Sequence, residues 1–316
     1  MSTTAAQARA LLDEARDGQR ASLARLVTLT ERGGEDARTV GREAHAAAGQ
    51  GYTVGLTGAP GSGKSTLTSA LCGAVRQAGD RIGVLAIDPS SPFSGGAILG
   101  DRVRMGDHTL DDGVFIRSMA TRGHLGGLAL ATPQAVRVLD AAGLPWIVIE
   151  TVGVGQVEIE VVGTADTVVV VVNPGWGDAI QANKAGLMEI ADIFVINKSD
   201  RPGAGDTARD LEQMLSLSTP AAWRPPIVRT VGIDGTGAPE LLDAIREHRA
   251  HLEATGELEA RRADRTRSEL VRLVSAELSQ RARSAVTHDA FDALVERVQS
   301  RELDPWTATD ELLAAT

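Results

Sequence analysis

The stretch Val54-Gly55-Leu56-Thr57-Gly58-Ala59-Pro60-Gly61-Ser62-Gly63-Lys64-Ser65-Thr66 reads as a strand that breaks into a glycine-rich turn and then into a helix. The turn has the form Gly-x-x-x-x-Gly-Lys-Ser from Gly58 to Ser65. It follows a strand-like run over 54–57 and precedes a helix-forming run over 66–75. In that context the glycines let the backbone curl with its N–H groups inward, and the helix N-terminus adds positive potential where a phosphate would sit. Lys64 is placed to reach β- and γ-phosphates and the Ser65 hydroxyl to ligate Mg²⁺. Gly58, Ala59, Pro60, Gly61, Ser62, Gly63 and Thr66 complete the wrapping. The expectation is a site for a nucleoside triphosphate.

Outward from this loop, short β-branched runs alternate with amphipathic stretches. Strands are expected over 54–57, 83–88, 114–117, 146–150, 167–173, 193–197 and 227–230. Near-continuous apolar strands separated by helix-length segments indicate a mostly parallel sheet covered on both faces. Residues 1–49 read as helix, with Leu11, Leu12, Leu23, Leu26 and Val27 at helical spacing around a break at Asp17-Gly18. Beyond Pro239 the pattern is helical again, with Leu270, Leu273, Val274 and Leu278 on one face and a helix start at Asp304-Pro305 that turns Leu312 and Leu313 inward. The fold class is therefore α/β, a P-loop nucleoside triphosphatase fold with helical extensions at both ends. The expected organisation is an extension over 1–49, a nucleotide domain over 50–252 and a C-terminal extension over 253–316.

The identity of the base is written at Asn197-Lys198-Ser199-Asp200, just after the expected strand 193–197. A carboxylate at Asp200 accepts from both guanine N1–H and the exocyclic amine, whereas adenine offers the wrong polarity and leaves the acid unpaired. Lys198 would lie across the ring and Asn197 would tie its loop to the phosphate loop. Val231 and Gly232, after the last strand, would lend backbone to the base. GTP and GDP are the expected ligands. Glu150, at the tip of the strand over 146–150, begins Glu150-Thr-Val-Gly153-Val-Gly-Gln156. Its carboxylate would hold Mg²⁺ and the Gly153 N–H would sense the γ-phosphate. Asp88 and Asp101 are two further candidate metal carboxylates; their ordinary readings are a strand-end turn and a helix-capping acid. Lys64, Glu150 and Asp101 form the expected catalytic set. Gln156 would orient the attacking water or serve a conformational role.

Composition narrows the partners. Across 316 residues the formal net charge is −10 and aromatics are 3%, so neither a basic footprint for phosphate backbones nor a platform for stacking bases exists, and nucleic acid is not an expected partner. The longest strongly apolar run, 168–172, is far short of the roughly 20 residues that cross a bilayer. The N-terminus carries Asp13, Glu14 and Asp17 and no basic-then-apolar leader pattern. A soluble, cytoplasmic protein without a membrane partner is expected. Of the 32 basic residues only Lys64, Lys184 and Lys198 are lysine, the others being arginine. Positions that keep a compact ammonium in so arginine-rich a chain are candidates for needing one.

Several further stretches sharpen the picture: Asp88-Pro-Ser-Ser-Pro-Phe93, Gly95-Gly-Ala-Ile-Leu-Gly-Asp101-Arg102, Met119-Ala-Thr-Arg-Gly-His-Leu-Gly-Gly127, the Glu150–Gln156 stretch, and Asp178-Ala-Ile-Gln181-Ala-Asn-Lys184-Ala-Gly186. Together with the phosphate loop they resemble the MeaB/ArgK family of P-loop GTPases, and the resemblance runs from about residue 10 into the C-terminal helices. It implies a homodimeric G-protein chaperone that gates adenosylcobalamin loading of an acyl-CoA mutase of the methylmalonyl-CoA type and protects or reactivates it. It also implies three switch segments, over 90–105, after Glu150, and over 174–186. Gln181 and Lys184 in the third match positions the family uses to link nucleotide state to partner. Trp176, between two glycines, departs from what the family holds fixed; it would be a partner-facing anchor or pack on its own domain.

Two other functions share this fold. A nickel-insertion GTPase needs a Cys/His relay, against which stands a single cysteine, Cys72, expected to be a small core residue. A kinase needs a bound acceptor, which no motif identifies. Arg122 and His124 lie in a glycine-rich loop and would contact a partner or second subunit. The arginine-rich run over 261–267 is expected as a solvated helix face.

Overall fold

Runs such as Thr167–Val172, fully buried along their length, can only be central strands covered on both sides, and all seven expected strands form one sheet. The structure, a computed structural model, describes residues 2–88, 106–108, 110–120, 127–151, 163–175, 190–217, 222–285 and 288–314. The strands are β1 (Tyr52–Gly58), β2 (Ile82–Asp88), β3 (Val114–Ala120), β4 (Trp146–Thr151), β5 (Thr167–Val172), β6 (Ile193–Asn197) and β7 (Ile227–Thr230). Their order is β3-β2-β4-β1-β5-β6-β7 and every neighbouring pair is parallel. All strand C-termini therefore lie at one edge, where an open parallel sheet of this kind takes its ligands.

Ten helices follow from the same chain among the described residues: α1 (Ala5–Arg16), α2 (Arg20–Arg32), α3 (Gly34–His45), α4 (Lys64–Gln77), α5 (Gly127–Ala141), α6 (Ala204–Ser216), α7 (Ala238–Thr255), α8 (Glu257–Ala285), α9 (His288–Gln299) and α10 (Pro305–Ala314). One face of the sheet packs Val54, Leu56, Val148 and Val169 against Leu67 and Leu71 of α4 and Leu241 and Ile245 of α7. On the other face α5 and the N-terminal helices cover Leu85, Ile87, Ile147 and Ile149, while α6 covers Val170, Phe194 and Ile196. Alternate residues of each strand thus face opposite layers. The N-terminal stretch divides into three helices rather than two. A second break falls at Gly33-Gly34, both at positive φ (72° and 68°), a conformation glycine adopts without steric cost.

The chain forms two compact units, Met1–Arg265 and Thr266–Thr316. In the first, the arginine-rich run overturns its expectation. Arg262 donates to both carboxylate oxygens of Asp166 (3.1 and 2.9 Å) and Arg265 donates to the same group, while Arg261 forks onto Asp192. Asp166 is fully buried beside the start of β5 and also accepts from the Thr53 N–H and hydroxyl. Burial pushes its carboxyl up, but the Arg262 hydrogen bonds, the Arg265 and Arg262 charges and the Thr53 N–H outweigh it and hold it at about 2. These arginines clamp the first turns of α8 to the strand starts; they are not a solvated face. His248 of α7 joins the cluster, with Nδ1 on the Thr167 hydroxyl (2.8 Å) and Nε2 3.3 Å from Asp192.

In the second unit, Asp304 caps α10 by accepting from the Trp306 and Thr307 N–H groups, as the helix start at that position predicts. Leu312 lines a groove between α9 and α10 with Phe291, Val295 and Val298. Leu313, expected on the inner face, is 53% exposed. Along α8, Leu270, Val271, Val274 and Leu278 are exposed as well. No helix is long and apolar enough to cross a membrane among the described residues.

Candidate functional site: a phosphate loop tied to the loop after β6

The phosphate loop joins the end of β1 to the start of α4, and the fold requires its glycines at two points. Gly58 sits at φ 135°, and a Cβ there would lie 2.1 Å from the Val171 carbonyl oxygen of the adjacent strand β5. Gly63 sits at φ 88°, where a Cβ would lie 2.4 Å from Asn197 Nδ2. The second close approach is also the principal link of the site, because the Asn197 amide donates to the Ser62 carbonyl at 2.9 Å. Its Oδ1 accepts from the Thr230 hydroxyl (3.1 Å) and the Gly232 N–H (3.0 Å). One side chain, 2% exposed, therefore binds the phosphate loop, the tip of β6 and the loop after β7 into one body.

Lys64, buried at the first position of α4, donates from Nζ to the carbonyls of Gly58 (2.6 Å) and Ala59 (3.0 Å), within its own loop. Ala59 is half-buried, Pro60 and Gly61 are exposed, and Thr66 is half-buried on the first turn of α4. Lys198 is held at φ 57°, a left-handed conformation uncommon for lysine, and donates from Nζ to the Gly61 carbonyl at 2.7 Å. Asp200 is exposed two residues on. Val231 behaves differently from expectation: its N–H donates to the Thr236 carbonyl and its own carbonyl accepts from Asp234 and Gly235, so its backbone shapes its own loop. Two contributors went unnoticed in the sequence. Thr230 supplies a hydroxyl to Asn197, and Asn173, at the tip of β5, donates to the Gly61 carbonyl at 3.4 Å. A polar residue directly after five consecutive valines was the signal available for the latter.

Ser65 and Glu150 meet across the sheet edge, with the hydroxyl donating to Oε1 at 2.5 Å. Glu150 is 3% exposed at the tip of β4, paired with Leu56 of β1 and Ala86 of β2. A hydroxyl and a carboxylate, both hard oxygen donors beside a phosphate loop, form the protein share of a donor set that suits Mg²⁺, which takes phosphate and water oxygens for the remainder. Asp88 ends β2 one residue beyond Ile87, which pairs with Thr151 of β4, so its backbone reaches the same edge. The side chain of Asp88 lies outside the described residues, as do Asp101, Arg122, His124, Gly153, Gln156, Trp176, Gln181 and Lys184. Cys72 is fully buried on α4, and its thiol is pushed up to about 12 by burial, with the Glu150 and Asp111 carboxylates adding to the effect, so it stays a protonated core side chain.

Residues 23–287 match the family described as methylmalonyl-CoA mutase-associated GTPase MeaB. The chain belongs to the MeaB family. It is 49% identical to a putative GTPase of Pyrococcus abyssi over 96% of this chain and 95% of that one. It is 36% identical to the mitochondrial methylmalonic aciduria type A homolog of Mus musculus, over 84% of this chain and 65% of the mouse protein. Among solved structures, that of a LAO/AO transport system kinase superposes with a TM-score of 0.71 at 26% identity, covering 99% of this chain and 98% of the other. This MeaB-family protein is accordingly a P-loop GTPase that binds GTP and GDP and cleaves one to the other.

Proposed function

We propose that GTP binding and hydrolysis here deliver a conformational signal to an adenosylcobalamin-dependent acyl-CoA mutase, gating entry of its cofactor and protecting or reactivating it. The observation that carries this reading is the Asn197 tie, which couples the base-reading loop to the phosphate loop, so that occupancy at one end is felt at the other. The family's description as mutase-associated supports the choice of partner.

Lys64 turns from its own loop carbonyls to the β- and γ-phosphates, and the N–H groups of residues 58–66 hold the phosphate oxygens. Asp200 accepts from the guanine edge while the Lys198 stem covers one face of the ring. Ser65 and Glu150 hold Mg²⁺, with Asp88 and Asp101 as further carboxylates and Gly153 sensing the γ-phosphate. When bound, the ion neutralises charge developing on the β- and γ-oxygens. Trp176, Gln181 and Lys184 relay the nucleotide state to the mutase. The protein works in the cytoplasm as a homodimer formed through the segment 253–316, with neither nucleic acid nor membrane as partner.

Turnover of γ-labelled GTP tests the reading. Slow hydrolysis by the protein alone, label recovered only as free phosphate, and acceleration by a cognate mutase are expected. Lys184→Arg should keep nucleotide affinity and weaken the acceleration. Label on a small-molecule acceptor would instead favour the kinase reading, which the name of the similar solved structure raises.

A further inference from the structure

His248, on α7, is fully buried at the edge where the strands begin, opposite the phosphate loop, and nucleotide chemistry makes no use of it. The hydroxyl of Tyr52, the first residue of β1, lies 2.6 Å from that of Thr167, the first residue of β5, and the Thr167 hydroxyl lies 2.8 Å from His248 Nδ1. Both partners are fully buried as well. His248 Nε2 lies 3.3 Å from Asp192 Oδ1 without an aligned hydrogen bond. Asp192, just before β6, is already held by the Arg261 fork and by the Val168 N–H at 2.8 Å. Trp223, in the loop before β7, packs on the His248 ring at 4.8 Å between centroids and on the His251 ring at 5.2 Å. Its indole N–H donates to the Asp192 carbonyl at 2.8 Å. Glu257 of α8 also acts on His248 by charge, and Arg249 lies over the Tyr52 ring.

Counting protons fixes the state of this chain of groups. A bare Nε2 lone pair would face the Asp192 carboxylate, whereas an N–H there is attracted to it, so the neutral ring carries its proton on Nε2 and accepts at Nδ1. The Thr167 hydroxyl then donates to Nδ1, and its oxygen accepts from the Tyr52 hydroxyl. Two protons fill two gaps. A further proton on Nδ1 puts three protons against the same two gaps, and one donor is left unpaired in a fully buried place. Such a group disfavours the charged, seated ring by roughly 10- to 100-fold. Asp192 offers little in return, because Arg261 already meets its charge.

We propose that Tyr52, Thr167 and His248 form an acid-released latch: when His248 takes up a proton from solvent, its ring leaves the strand starts and the Trp223 loop is freed with it. The loop so held leads into β7, whose last residue, Thr230, donates to Asn197, so the latch stands behind the strand that braces the loop after β6. Burial pushes the seated ring down to about 4, with Arg261 and His251 acting in the same sense and Asp192 and Glu257 opposing. A released ring, in water, titrates near 6.5. The released state therefore binds the proton more tightly and gains population as pH falls from 6.5 toward 4. Between pH 7.5 and pH 5.5 the gain is about tenfold.

Hydrogen exchange of the Trp223 indole N–H, followed by NMR on the full-length protein, reads the opening. At pH 7.5 its protection should lie well below that of the β5 amides, the mark of a local opening. From pH 7.5 to pH 5.5, corrected for the intrinsic exchange rate, that protection should fall about tenfold in the wild type and stay constant in His248→Gln. Long-range ¹⁵N spectra at pH 7.5 should show the His248 proton on Nε2. A proton on Nδ1 overturns the proposal, as does a Trp223 protection that ignores pH or equals that of the β5 amides, which would mark global unfolding. The same fall in His248→Gln overturns it too. Both wild-type measurements stand without the variant, so a variant that fails to fold leaves the test intact.

Discussion

Substituting Asn197 by alanine removes, in one step, the hydrogen bond to the Ser62 carbonyl and those from Thr230 and Gly232. Each buried group left unpaired costs about 1–3 kcal/mol, against about 1 kcal/mol for an ordinary hydrogen bond. Asn197→Ala should therefore lower unfolding stability by roughly 2–4 kcal/mol in urea titrations. It should also weaken GDP at least tenfold by calorimetry. Gly63→Ala tests the same contact from the other side. Its Cβ would lie 2.4 Å from Asn197 Nδ2 at a φ of 88° that alanine adopts only under strain. The expected result is a folded protein, by circular dichroism, with nucleotide binding lost.

At the scale of elements, the first turns of α8, up to Arg265, are tied to the sheet by charge. Asp166 is buried among Arg262, Arg265 and Thr53, so Asp166→Ala strands two arginines and should cost roughly 3–5 kcal/mol of stability. Two pH windows follow. Asp166 is held at about 2 against 3.8 for the free group. Its contribution is complete above pH 3.8 and is lost as pH falls toward 2. His248 is pushed down to about 4 by burial, with Arg261 and His251 acting in the same sense and Asp192 and Glu257 opposing. The unfolded chain, with its histidine near 6.5, takes up a proton that the native state refuses, so this contribution is lost as pH falls from 6.5 to 4. The midpoint of thermal unfolding should decline across that upper window, and His248→Gln should flatten the decline.

For the whole molecule, the exposed apolar face of α8 is the feature that a lone chain leaves unexplained. Leu270, Val274 and Leu278 recur every four residues and are each more than half exposed. A stripe of this kind is what a subunit contact covers. For the proposed homodimer, the wild-type chain is expected to sediment as a dimer and the double variant Leu270→Asp/Val274→Asp as a monomer, with basal nucleotide affinity unchanged.

The phosphate-loop turn and the seven strands were legible because each depends on short-range pattern: glycines where the chain must curl, β-branched runs where it must extend. Position 304 likewise announced its helix cap. Tertiary contact alone decided the fate of the arginine run over 261–267, which resembles any solvated helix until buried Asp166 and Asp192, 96 and 69 residues earlier in the chain, are brought against Arg262 and Arg261. It also decided that Val231 spends its backbone on its own loop while Thr230 and Asn173 reach the site. The physical reason is the same in each case. A charge or an amide carries no mark in sequence of which partner will meet it, because that partner is chosen by the packing of strands and helices far apart along the chain.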